Sequence, residues 1–182
     1  MSKADAQFVL PVKSLGDGVG LFEFHKGPRA RISPKRFVQK VSLEIVSGGY
    51  HTVAIHREAD FDSVRYVQAW VSIVRSLPWV RFFSHTRSWQ LEKLIPALNL
   101  LRSQPNVVLW WMAGPESDDP PEGRIVWVNH DPDQEVPEHV GLVFGPPAGW
   151  HYACPQIIDQ SETCAQCGHC FKDALVNNGD KP

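Results

Sequence analysis

Four thiols close the chain. Cys154, Cys164, Cys167 and Cys170 all lie in the last thirty of 182 residues, and no cysteine precedes them. Their spacing is Cys154-x9-Cys164-x2-Cys167-x2-Cys170. A compact C-x2-C-x2-C run with a remote fourth cysteine is the spacing by which a loop wraps a [4Fe–4S] cluster. Cys154, followed by Pro155, is the natural fourth ligand. Zinc is the alternative. Structural zinc sites usually present two separated C-x2-C pairs, whereas here the second pair shares Cys167 with the first. His151 and His169 flank the module. With four thiols available they read as neighbours that support the site rather than as ligands. A cysteine nucleophile is not expected once all four are committed to metal.

A second set of reactive side chains falls where strands should end, the usual place for ligands in α/β sheets. His56, Arg57, Glu58 and Asp60 follow one expected strand, and His85 and Arg87 end the next. Glu116 follows a third, and Asn129, His130 and Asp131 a fourth. His56, Asp60, His85 and Arg87 are the catalytic candidates. Each has a plainer role: Asp60 or Asp62 as a helix cap, Arg57 or Arg87 paired with Glu58 or Asp60, the histidines as hydrogen-bonded structural residues. No Walker loop, dinucleotide-binding glycine motif, H-E-x-x-H or nucleophile elbow is present.

A third set is basic. Lys26, Arg29, Arg31, Lys35, Arg36 and Lys40 lie between residues 25 and 40 without an intervening acid. They suit either a solvated arm or one that contacts nucleic-acid phosphates.

The elements around these residues alternate. Residues 41–46 and 51–55 read as extended, divided by Gly48-Gly49. A helix capped by Asp62 is expected to run to Leu77, with Val67, Trp70, Val71 and Val74 on one face and Pro78 closing it. A strand over 80–86 precedes a second helix from Ser88, kinked or restarted at Pro96. Strands are expected over 107–112, 124–128 and 141–144, with an acidic, proline-rich loop over 114–123. Trp110 or Trp111 should face inward, while Trp79 and Trp89 at element boundaries should be partly exposed. Strand–helix alternation with short connections implies right-handed crossovers and a mainly parallel sheet. The expected fold is therefore α/β, a partial barrel or small mainly parallel sheet with flanking helices, plus a C-terminal cysteine-rich metal module. Residues 1–40 form a weakly patterned basic arm, 41–150 the α/β core and 151–182 the module and tail.

Composition excludes several classes. With 43% hydrophobic and 21% charged residues, the chain is neither disordered nor fibrous. A net charge of -2 excludes a globally basic nucleic-acid coat, though not a local basic patch. Residues 1–14 lack the pattern of a secretory leader, and the apolar run 107–113 is too short to span a bilayer. A cytoplasmic protein is expected, where thiols stay reduced and clustered cysteines serve metals.

These residues carry a family resemblance. The stretch His56-Arg-Glu-Ala-Asp-Phe-Asp-Ser-Val-Arg-Tyr-Val-Gln-Ala-Trp70 resembles the "H-x-S-G-D-F-x-S-x-x-Y-x-x-x-W" segment of the phage "gene product eighty-eight" family. Residues 78–89 resemble that family's following strand. Cys154-Pro155 and Thr163-Cys-Ala-Gln-Cys-Gly-His-Cys-Phe171 resemble its closing "C-P … T-C-x-x-C-G-x-C-[WF]". The match covers residues 50–172 and is most specific at the cysteines. The resemblance implies a protein of phages or other mobile elements with an α/β scaffold and a C-terminal cluster. Members often add a cysteine group near the N-terminus, similar to the cluster loop of radical S-adenosylmethionine enzymes. This sequence has none, and Glu58-Ala59 replaces the family's Ser-Gly.

The first functional expectation is thus a non-catalytic iron–sulfur protein that binds nucleic acid or a host protein, its cluster structural or redox-sensing. The second is a radical-SAM-related or other α/β-barrel enzyme using the strand-end residues. The third is a zinc-stapled adaptor.

Overall fold

The structure, a computed structural model, describes residues 12–15, 17–22, 33–56, 59–131, 133, 135–145, 154 and 163–173. Its first strands, β1 (Val12–Ser14) and β2 (Val19–Phe22), pair antiparallel. Asp17 and Gly18, both with positive φ, turn one into the other as an Asp-Gly hairpin does.

Helix α1 (Pro34–Ser47) follows. The hydroxyl of Ser33 accepts from Arg36 N, Pro34 occupies the first turn, and Phe37, Val41 and Ile45 are buried at intervals of four. This corrects two expectations. Residues 41–46 are helical rather than extended, because apolar spacing of four outweighs their β-branched content. The segment 1–40 is more than an arm, since it supplies two strands and the start of a helix.

Strand β3 (Thr52–Ile55) leads to α2 (Val64–Ser76), capped by Ser63 and not by Asp62. Its face Val67, Trp70, Val71 and Val74 is buried as the periodicity requires. Strand β4 (Arg81–Thr86) is followed by two short 3-10 turns and then α3 (Ile95–Arg102), with Pro96 in its first turn. The proline restarts the helix rather than kinking it. Strands β5 (Val107–Ala113), β6 (Arg124–Val128) and β7 (Leu142–Phe144) complete the sheet.

The strand order is β1 to β7 in sequence, with β2 through β7 parallel. The six parallel strands curl into a half-barrel. The curl brings the His85 ring of β4 to 4.8 Å from the Phe144 ring of β7, three strands away. The mixed α/β class and mainly parallel sheet are as expected.

One sheet face buries Phe22, Ile55, Phe82, Leu109 and Trp111 against the three helices. Each such side chain stabilises the fold by roughly 1.5–3 kcal/mol. Asn106, 3% exposed, bonds this layer to the sheet: its Nδ2 donates to the carbonyls of Val74, Leu77 and Val80 at 3.1, 3.1 and 2.9 Å. The opposite face carries Leu21, Ala54, Phe83, Val108, Trp110 and Leu142, covered by Phe171 with Cys154 and Cys170. Trp110 and Trp111 therefore both face inward, on opposite sides. Among the described residues, no helix is long and apolar enough to cross a membrane.

Candidate metal centre

The cysteine loop is built locally before it docks. Thr163 and Gln166 form a capping box, in which Thr163 Oγ1 accepts from Gln166 N and Gln166 Oε1 from Thr163 N. One helical turn, Cys164–Cys167, follows and ends at Gly168 with φ 64°. Gly168 N then donates to Cys164 O at 3.0 Å, and Phe171 N to Gly168 O at 3.1 Å. Glycine adopts this left-handed conformation without the penalty a Cβ would add, so the chain can reverse and bring Cys170 back.

Several contacts fix this loop to the sheet. Trp110 Nε1 donates to Cys170 O at 3.0 Å. Phe171 packs against Phe83, ring centroids 5.3 Å apart. His169 Nε2 lies 3.2 Å from Gly141 O. Arg124 pairs with Asp173 at 2.6 Å while its guanidinium lies over the Trp110 ring. The remote cysteine has its own attachment, Cys154 N donating to Val143 O of β7 at 2.9 Å.

All four cysteines are partly buried. Burial pushes the Cys170 thiol well up, and charge at Cys154, Cys164 and Cys167 pushes it further. Cys170 therefore lies within electrostatic reach of the other three thiols, and thiolates so placed repel it unless a cation offsets them. Among the described residues, no three Cys, His, Asp or Glu side chains stand arranged to hold a metal ion. The donor set, four thiols without a carboxylate, fits a thiophilic centre in number and kind. His151 lies outside the described residues.

The catalytic candidates separate. His56 is 4% exposed and its φ of 66° is left-handed. Its Nε2 lies 2.6 Å from Tyr66 Oη, and its ring stacks on Tyr66 among the aromatics of the helix layer. Asp60 is a clamp: Oδ1 accepts from Phe61 N and Thr86 Oγ1, and Oδ2 from Arg87 N. His85 faces the cysteine side. Its ring is partly exposed, yet Nε2 is enclosed and has no hydrogen-bond partner among the described residues. Burial lowers its pKa to about 4.

Arg87 is exposed and lines a cleft of about 400 Å³ with Gln90, Glu116, Ser117 and His130, at the carboxyl ends of β4 to β6. Glu116 and His130 thus join Arg87, whereas His56, Asp60 and His85 do not. Asn129 is buried beneath the rim, and Asp131 accepts from Asp133 N in a turn. Arg57 and Glu58 lie outside the described residues. Trp79 is partly exposed as expected. Trp89 is buried, its Nε1 donating to Met112 O, which corrects the exposure expected for it.

Of the basic set, Lys35, Arg36 and Lys40 lie on α1, and Lys26, Arg29 and Arg31 lie outside the described residues. Lys35 lines a groove between α1 and α2 with Val38, Arg65 and Ala69.

Trp110, Arg124 and Asp173 come together at the cysteine loop only in three dimensions. One signal for Trp110 was present. A strand apolar on every residue, as over 107–113, must be covered on both faces. Three helices cover one, and the cysteine segment was left to cover the other.

A family described as gene product 88 matches residues 35–173. No curated protein matches the chain, and neither does any solved structure.

Proposed function

The chain belongs to the gene product 88 family, and on that premise we propose that it is an iron–sulfur protein acting through a macromolecular partner, without catalysis. Cys154, Cys164, Cys167 and Cys170 hold a [4Fe–4S] cluster that fastens the C-terminal segment to the half-barrel. When bound, the group supplies cationic charge that offsets four thiolates and, if accessible, a one-electron couple. The carrying observation is the pair of separate bonds that fix Cys154 to β7 and Cys170 to β5, which bring the remote cysteine and the C-x2-C-x2-C loop onto one sheet face. The setting is a phage or other mobile element, and the partner is nucleic acid or a host protein. Lys35, Arg36 and Lys40, together on α1, support nucleic acid through phosphate contacts.

The test is anaerobic purification followed by iron, sulfide and zinc analysis and a visible spectrum. Iron with matching sulfide and broad visible absorption is expected. A colourless chain with one zinc would replace the cluster reading with a zinc-stapled adaptor. For the partner, binding of duplex or single-stranded DNA should weaken steeply with salt. No retention at low salt would remove nucleic acid from the reading.

The rim cleft favours a second reading, an α/β-barrel enzyme. Arg87, Glu116 and His130 converge where such sheets bind ligands. Saturation of that cleft by a small polar solute in a metabolite screen would favour it.

A further inference from the structure

His85 poses a specific physical question. On the helix side of β4, Ser84 donates to Ile55 O and Thr86 to Asp60. On the cysteine side, His85 Nε2 is enclosed, with no hydrogen-bond partner among the described residues. A buried polar group without a hydrogen bond costs about 1–3 kcal/mol, so an unpaired ring nitrogen in a native fold calls for a partner, an acceptor where that nitrogen carries the proton.

Its neighbours narrow the choice. Phe83 and Phe144 have no acceptor atoms, with ring centroids at 5.9 and 4.8 Å. Trp110, its register partner on β5 at 6.3 Å, has only an indole donor, already spent on Cys170 O. Two of these neighbours also mark the anchors of the ligand set. Trp110 holds Cys170, and Phe144 follows Val143, which holds Cys154. Among the described residues packed on this face, Cys154 and Cys170 supply thiol sulfurs. Met112 adds only a thioether, which is a weak acceptor.

We infer that His85 is a positioning residue of the metal centre, donating its Nε2–H to a sulfur of the bound set, either a cysteine thiolate or a cluster sulfide. The inference rests on the metal reading above. Anionic sulfur selects the neutral tautomer with its proton on Nε2, and a donor to sulfur stabilises the more reduced, more negative state of a cluster. His85 then raises the potential of the centre and slows loss of its metal.

The test uses the full, metal-loaded chain with His85→Phe, which keeps a ring but no donor, and His85→Gln, which restores one. Redox titration should place His85→Phe at a lower potential than the wild type, with His85→Gln shifted back toward it. Metal release to a chelator should be several-fold faster for His85→Phe, and this readout serves a zinc-loaded chain as well. Should His85→Phe fail to fold, pulsed EPR of the reduced wild-type cluster with isotopically labelled histidine reads the imidazole nitrogen directly. A loaded wild type without that coupling, or with a potential and release rate indifferent to both variants, overturns the inference alone. A wild type holding neither iron nor zinc overturns the metal reading and the inference with it.

Discussion

Trp110 and Cys170 stand sixty residues apart in the chain and are joined by one hydrogen bond, from the indole Nε1 to the cysteine carbonyl at 3.0 Å. The indole also carries the Arg124 guanidinium on its ring and faces His169 at 5.8 Å. One strand residue thus gathers the loop of three cysteines. Trp110→Phe should keep the apolar cover and lose the donor. About 1 kcal/mol of stability should go with it, along with a faster loss of metal to a chelator. Unchanged metal release would show that the loop is held mainly by Phe171.

Asp60 accepts three hydrogen bonds and ties the residues before α2 to the end of β4. Asp60→Ala should cost about 2–4 kcal/mol in urea unfolding, since Thr86 and two backbone N–H groups lose their acceptor. Metal content should remain that of the wild type. Depleted metal would place Asp60 at the centre instead of at the sheet rim.

Asn106→Asp would turn an amide donor into a carboxylate facing three carbonyls. A loss of more than about 3 kcal/mol is expected, with Asn106→Ala losing less. The order of the two midpoints in denaturant checks this, and equal midpoints would mean that the amide does not hold the end of α2.

At Gly168 an added Cβ would meet nothing within 4 Å, although φ is 64°. Gly168→Ala should therefore cost about 1 kcal/mol, from backbone conformation alone. The penalty should appear in metal affinity more than in sheet stability, because it falls on the turn between Cys167 and Cys170. Competitive chelation against the wild type measures it.

Stripping the metal should expose the segment from residue 154 onward to protease while leaving β2 to β6 and the helices protected. Mass analysis of the fragments reads this directly. Wild-type resistance in the stripped chain would mean that apolar packing holds the module unaided.

The parallel sheet and the cysteine set were both legible in the sequence, for different reasons. A strand such as β5 announces itself by an unbroken apolar run, and cysteine spacing is a local record of a loop. The first strands were not legible, because Val12–Ser14 and Val19–Phe22 are too short to show a period. Helix α1 was masked by the valines and isoleucine that favour strands in isolation. The catalytic candidates part for a geometric reason: His85 lies within β4 and faces the cysteine side, whereas Arg87 lies past the end of β4 and turns to the rim cleft, and Asp60 is taken up by Phe61, Thr86 and Arg87 N. Arg87, Glu116 and His130, scattered over more than forty positions, came together only because three parallel strands end side by side.

The sequential strand order has a consequence for biogenesis. From the hairpin onward, every strand docks beside the one made just before it, so the sheet can extend as the chain leaves the ribosome. The ligands arrive last, after the face that receives them is complete. A nascent chain halted before residue 154 already holds Trp110 and His85 in their places but has no thiol at all. On the cluster reading proposed above, metal is bound only once residues beyond β7 have been made, and residues 1–153 hold no thiol that could be oxidised earlier.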